Sequence, residues 1–191
     1  MKLETCMFII VGPSGAGKSS FLDKIIQDRP EIIDTITNTT RPMRAGESQG
    51  IPYDFITEAE FKKRREENQY IEWAEVHGFY YGTPKSEIER ITSMGNSMIM
   101  DVDIQGAASF KKFYPEAISI FILPPSIDAL RERVRNRDGK TLSDEQLEVR
   151  MKNAEIEIKA SEGFDYRVVN DDFDKSYESF KKIVDKHLNK L

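Results

Sequence analysis

Residues 12–19 read Gly12-Pro13-Ser14-Gly15-Ala16-Gly17-Lys18-Ser19 and match the pattern G-x-x-x-x-G-K-[ST] at every fixed position. Such a run binds the phosphates of a nucleotide. Its glycines let the backbone bend until several N–H groups converge on phosphate oxygens, and the helix expected over Phe21-Leu22-Asp23-Lys24-Ile25-Ile26 adds the positive end of its dipole. Lys18 then reaches the outer phosphates and the Ser19 hydroxyl is offered to Mg²⁺, so the pattern specifies ATP or GTP with its metal. It leaves the fate of the triphosphate open.

Arg41 and Arg44, with Tyr53 beyond them, provide two planar bidentate donors and a phenol, a set that suits a phosphate dianion. As isolated loop arginines they would make surface pairs only. A second phosphate grip in a chain that already has one points to phosphoryl transfer between two bound molecules, with water excluded as they come together. Glu72, the Tyr81-Gly82-Thr83 run and Asp103 add two carboxylate acceptors and a hydroxyl. Guanine presents N1–H and its N2 amino group as adjacent donors, whereas adenine has an acceptor at N1 and no amino group at C2, so this set suits guanine. On residue chemistry alone, Glu72 reads equally well as an exposed strand residue.

These groups need a frame, and the apolar pattern supplies one. Buried-strand runs at 6–11, 97–102, 117–123 and 166–169 alternate with amphipathic stretches, which predicts an α/β fold on a parallel sheet. Ser126 is placed to cap a helix through Val134, and Ser143 with Gln146 forms a capping-box pattern ahead of Leu147, Met151, Ala154 and Ile158. Residues 175–191 carry Tyr177, Phe180, Ile183, Val184 and Leu188 on a helical period and should cover one sheet face. Two regions break the alternation. Residues 37–84, with short strands expected around 53–56 and 70–73, read as an inserted lobe. Arg131, Arg133, Arg135, Arg137 and Arg150 surround a glycine-bearing loop at 138–141, the composition of a lid over the triphosphate.

A chain of 191 residues fits one domain with small inserted lobes. The net charge of −5, with basic residues scattered among acidic ones, argues against nucleic acid as a partner. No apolar run approaches the ~20 residues that span a bilayer, and residues 1–5 lack a signal-peptide core, so neither membrane nor export is expected and the reading is cytoplasmic. The single cysteine, Cys6, starts a strand and reads as a small buried hydrophobe in a reducing compartment. His77 and His187 receive no role. Nothing separates a monomer from a homo-oligomer.

Over almost its full length the chain resembles the guanylate kinases, nucleoside monophosphate kinases that move the γ-phosphate of ATP to GMP. The matching landmarks, in order, are the 12–19 run, Thr39-Thr40-Arg41-Pro42-Met43-Arg44, Gly46-Glu47, Ile71-Glu72-Trp73, Tyr80-Tyr81-Gly82-Thr83, Asp101-Val102-Asp103-Ile104-Gln105-Gly106 and Val169-Asn170-Asp171-Asp172. The resemblance implies a three-layer P-loop NTPase fold with a central parallel sheet (core 1–36, 85–130 and 160–191), a GMP-binding lobe (37–84) and a helical lid (131–159). It implies that Gly12, Pro13, Ser14, Gly15, Ala16, Gly17, Lys18, Ser19, Ser20 and Asn170 bind ATP, with Asn170 near adenine. Arg41, Arg44, Tyr53 and Tyr81 would hold the GMP phosphate, and Thr37, Glu72, Thr83 and Asp103 would read the base. Lys18, Arg41, Arg137 and Arg150 would carry catalysis, with Mg²⁺ on Ser19 and on Asp101 through water. Thr37 stands where serine is common and keeps the hydroxyl. The lid run Arg137-Asp138-Gly139-Lys140-Thr141 departs from the family and is about two residues longer, which leaves Arg133 and Arg135 as alternatives to Arg137. The other functional readings are a guanylate-kinase-like protein-binding module and a kinase for another phosphorylated acceptor, such as a different nucleoside monophosphate or ribose bisphosphate.

Overall fold

Strand β1, Met7–Val11, is apolar and buried at all five positions, as expected of a strand covered on both faces. In the computed structural model, which describes residues 5–44, 46–76, 78–138 and 142–189, it lies at the centre of a five-stranded parallel sheet. The order is β2 (Ile32–Asp34), β7 (Ser97–Asp101), β1, β8 (Ile118–Leu123) and β9 (Tyr166–Val169). The strand runs at 7–11, 97–101, 118–123 and 166–169 agree with the sequence reading to within a residue. Strand β2 escaped it because three residues are too few to show a period.

Side chains alternate across β1. Phe8 and Ile10 pack with Phe21 and Ile25 of α1 (Lys18–Asp28) and with Phe180 and Val184 of α7 (Phe173–Leu188). Met7, Ile9 and Val11 pack on the opposite face with Ile88 and Ile91 of α3 (Lys85–Ser93) and Phe110 of α4 (Ile104–Phe113). Each such large apolar side chain contributes about 1.5–3 kcal/mol on burial. Cys6 belongs to this core, 8 % exposed, with its thiol pushed up by burial. Helix α7 starts ahead of the apolar stripe because Asp172 caps it, accepting the Lys175 N–H.

Helices α5 (Ile127–Asp138) and α6 (Asp144–Ala160) pack on one another through Leu130, Val134, Leu147, Met151 and Ala154. Their starts follow the sequence reading: Ser126 Oγ accepts the Ala129 N–H at 3.1 Å, and Ser143 and Gln146 form the full reciprocal capping box. Residues 139–141 of the lid loop, and His77, lie outside the described residues.

Residues 37–84 form a second sheet in the order β4 (Tyr53–Phe55), β3 (Thr37–Thr39), β6 (Phe79–Pro84) and β5 (Tyr70–Val76), with α2 (Glu58–Glu66) packed on it. Phe61 of α2, fully buried, stacks between Tyr70 and Tyr80 at ring distances of 4.6 and 5.3 Å. Buried Asn38 is satisfied on all sides by Asp54, Arg64 and Tyr70. The chain passes from the main sheet to this one through Thr35 and Ile36, and returns where β6 runs straight into α3. The Ile36 N–H donates to Glu87 Oε1 in the first turn of α3 at 3.0 Å, so the two crossings lie side by side. Among the described residues, no helix is long and apolar enough to cross a membrane.

Candidate active site

Parallel sheets bind ligands beyond the carboxyl ends of their strands, where the order reverses about a central strand. Here that strand is β1, flanked by β7 and β8, and the glycine-rich loop leaves its carboxyl end. The loop turns through Gly17, left-handed at φ 95°, into α1. Neither a side-chain cap nor a first-turn acid answers the first N–H groups of α1, which leaves the positive end of the helix for an anion. Gly17 is required for a second reason: a Cβ there would come within 2.5 Å of Asn170 Nδ2. That amide donates to Ala16 O at 2.8 Å and braces the loop from behind.

Lys18 lies against the loop with Nζ donating to Gly12 O at 2.6 Å, and it stands 3.7 Å from Asp101 at the end of β7. Burial pushes the Asp101 carboxyl up, and Lys18 pulls it part of the way back. Ser19 and Asp101 both line the cleft. A hydroxyl and a carboxylate are hard oxygen donors of the kind Mg²⁺ accepts when substrate phosphates and water complete its shell, so this pair fits the ion.

The main cleft, about 670 Å³, is lined by the loop, Lys18 and Ser19 on one side and by Thr37, Arg44, Tyr53, Glu72 and Tyr81 of the second sheet on the other. Asp101 and Asp103 also line it, as do Arg133 and Arg137 of α5. A smaller recess of about 370 Å³ adjoins it and includes Arg41, Asp34 and Glu47. Tyr53 and Tyr81 meet edge to face at 6.0 Å because β3 pairs with both β4 and β6. Arg41, only 7 % exposed, lies over the Tyr53 ring at 5.2 Å.

Glu72 is aimed by an irregularity of β5: the register with β6 shifts between Tyr70 and Glu72. Its Oε1 accepts the Thr83 N–H at 3.0 Å and the Thr83 hydroxyl at 2.7 Å. Burial drives its carboxyl up to about 7, with the Asp103 charge adding and the Thr83 hydrogen bonds opposing. Asp103 is the N-cap of α4, its Oδ1 accepting the Gly106 N–H at 2.7 Å. One oxygen of each carboxylate is thus committed to the protein, which leaves Glu72 Oε2 and Asp103 Oδ2 as acceptors for a ligand. Gly106 holds the space between them, since a Cβ on it would stand 2.9 Å from Glu72 Oε2 and 3.2 Å from Asp103 Oδ1. Gly106→Ala should therefore raise KM for the acceptor several-fold and leave KM for ATP within twofold, although alanine favours the helix by about 1 kcal/mol; steady-state kinetics with each substrate varied in turn checks this.

The predicted residues divide. Lys18, Ser19, Thr37, Arg44, Tyr53, Glu72, Tyr81, Asp101, Asp103 and Arg137 share the cleft, with Arg41 beside it. Thr83 is fully buried behind Glu72, and Asn170 is buried behind the loop. Arg150 lies on α6 and lines neither cavity. Of the lid arginines, Arg137 donates to Ser14 Oγ at 3.0 Å and Arg133 to the Asn170 carbonyl at 2.9 Å, whereas Arg135 turns away to Asp144 and Arg131 pairs with Glu148. The i, i+4 spacing of 133 and 137 puts both on the cleft face, a signal the arginine-dense run hides. Asp34 and Glu157, cleft-lining carboxyls with no role in the sequence reading, are both pushed up by burial, Asp34 to about 7 with the Asp101 charge adding.

Comparison with known proteins sets this arrangement in a lineage. The guanylate kinase family model matches residues 4–187. The chain belongs to the guanylate kinase family. A guanylate kinase from Bdellovibrio bacteriovorus is 49 % identical over 183 residues, covering 96 % of this chain and 98 % of that one. One from Caldanaerobacter subterraneus is 40 % identical over 184 residues, covering 96 % and 88 %. Among solved structures, the guanylate kinase from Anaplasma phagocytophilum superposes with a TM-score of 0.77 at 29 % identity, covering 98 % of this chain and 88 % of that one. The P-loop NTPase fold read from the sequence is therefore the fold of the family.

Proposed function

We propose that this guanylate kinase transfers the γ-phosphate of ATP to GMP, giving ADP and GDP, and that the two sides of the cleft divide the work as follows. The phosphate loop, Lys18 and the start of α1 hold the donor phosphates. Arg41, Arg44, Tyr53 and Tyr81 hold the phosphate of GMP, and Glu72 and Asp103 accept from N1–H and the N2 amino group of guanine, with Thr83 fixing Glu72. Residues 37–84 act as the acceptor lobe and 131–159 as the lid. Arg133 and Arg137 supply positive charge over the transferring group, and Arg150 joins them when the lid closes. Asn170 serves the donor site by bracing the loop. Ser19, and Asp101 through water, would hold Mg²⁺, which would supply positive charge to the donor phosphates when bound. The acceptor phosphate, ionised near neutral pH, attacks directly, so no base is needed and alignment with charge neutralisation does the catalysis. A cytoplasmic setting, with ATP and reduced thiols, suits the buried Cys6.

The observation that carries this reading is the pair of acceptor oxygens on Glu72 and Asp103, facing a phosphate grip across from an intact phosphate loop. A ribose bisphosphate offers no paired N–H donors to such oxygens, and a protein-binding module has no use for Lys18. ADP formation measured with GMP, dGMP, AMP, CMP, UMP and ribose 1,5-bisphosphate tests it. GMP should exceed AMP in kcat/KM by about 10³ or more, since buried carboxylates facing adenine N1 are left without donors. Preference for any other acceptor would refute the assignment.

A further inference from the structure

Arg41 has five N–H donors, and three are already engaged: Nη1 to Pro42 O at 2.9 Å and to Glu47 Oε2 at 2.8 Å, and Nη2 to Glu47 Oε1 at 2.8 Å. The same Glu47 Oε2 accepts the Arg44 main-chain N–H at 2.7 Å. One carboxylate therefore ties the side chain of one phosphate-binding arginine to the backbone of the other. The guanidinium is fixed in its plane by Glu47 and packs against two adjacent rings, lying 5.2 Å from Tyr53 and 5.3 Å from Phe55, which are 6.0 Å from each other. Its remaining donors, Nε–H and one Nη2–H, form the edge not taken by Glu47, and the Tyr81 hydroxyl, another member of the grip, also interacts with this guanidinium.

We propose that Glu47 is a positioning residue for the acceptor phosphate, presenting that edge of Arg41 and setting the place of Arg44. The inference rests on the reading of Arg41 and Arg44 as the grip on the GMP phosphate. The rival arrangement, in which Glu47 occupies the place of the phosphate and must leave before GMP binds, does not match the geometry. Glu47 is bound to the backbone of its own loop as well as to Arg41, and it takes the end of the guanidinium while leaving the two-donor side on Nε and Nη2 clear of its own carboxylate. A long cationic side chain held in one rotamer has its ordering entropy met before the ligand arrives. The carboxylate also offsets one of the two guanidinium charges that line the recess.

The test compares the wild-type enzyme with Glu47→Gln and Arg41→Met in the binding of GMP, guanosine and ATP by calorimetry, and in kcat and KM. Glutamine keeps the size of the side chain and one acceptor, and loses the charge and the second acceptor. Glu47→Gln should weaken GMP about tenfold and raise its KM in step, with kcat changed less than about threefold and guanosine and ATP within twofold. Unchanged or tighter GMP binding overturns the proposal, and so does an equal loss for guanosine and ATP, which would mark Glu47 as a general structural residue. Arg41→Met separates this failure from that of the underlying reading. If it leaves the preference for GMP over guanosine intact, the phosphate grip itself is misplaced; if it abolishes that preference while Glu47→Gln does not, only the role of Glu47 is lost.

Discussion

Lys18→Ala should lower kcat about 10³-fold, with KM for GMP changed little and the melting temperature within a few degrees of wild type. Lys18 Nζ is held by Gly12 O and faces Asp101, so its ammonium is kept at the mouth of the loop by groups that belong to the fold. A charge so placed can follow the phosphoryl group as it leaves the donor, because the bond that moves lies between the loop and the acceptor grip. An interaction stronger in the transition state than with bound ATP raises kcat, and its removal is read in kcat. The fold should survive, since α1 is anchored by Phe21, Leu22 and Ile25. Single-turnover measurement of ADP formation with the acceptor in excess checks the expectation. Near-normal turnover would remove Lys18 from the mechanism.

Glu72→Gln should have opposite effects on stability and on function. The buried Glu72 carboxyl is raised from 4.5 to about 7, so the folded enzyme keeps its proton over a range in which the unfolded chain has lost it. Stability then falls as pH rises from about 4.5 to about 7 and is level above, and the full difference is about 3 kcal/mol. Glutamine keeps both hydrogen bonds from Thr83 and carries no charge, so at pH 8 the variant should unfold at higher urea by up to that amount. Binding goes the other way. With its oxygen committed to Thr83, the carboxamide turns an NH₂ group towards the donors of guanine, and kcat/KM for GMP should fall about a hundredfold while that for AMP rises. In the wild-type enzyme GMP affinity should increase with pH through about 7, because the ionised Glu72 carboxylate is the form whose Oε2 accepts a hydrogen bond from guanine. The variant should lose that dependence, and a GMP titration at pH 6, 7 and 8 reads both results.

Much of this site was legible because its parts are local. The phosphate loop is a contiguous run, and the capping box at Ser143 and Gln146 is visible four residues at a time. Long strands announced themselves by burial on both faces, whereas β2 and β3, at three residues each, had no room for a period. The roles of Thr83 and Asn170 were harder to read because both act at a distance in sequence: Thr83 meets Glu72 across a strand pair, and Asn170 meets Ala16 from the far end of the chain. Asp103 hid a second duty as helix cap, which only the geometry of α4 displays. Nothing in the spacing of Arg41 and Glu47 distinguishes a bidentate pair from two solvated neighbours.

The two crossings between the sheets give the acceptor side the mechanics of a door. Both run past one buried side chain, Glu87, which holds the Ile36 N–H and is itself gripped by Arg90. Beyond this edge the second sheet rests on the core through Ile71 of β5, packed with Ile88, Ile91 and Phe110, so rotation about the edge has to shift that contact too. Small angular changes at that edge become long travel at Tyr53 and Arg41, so the separation of the two phosphates is geared to the torsion of a few backbone bonds at 35–36 and 84–85.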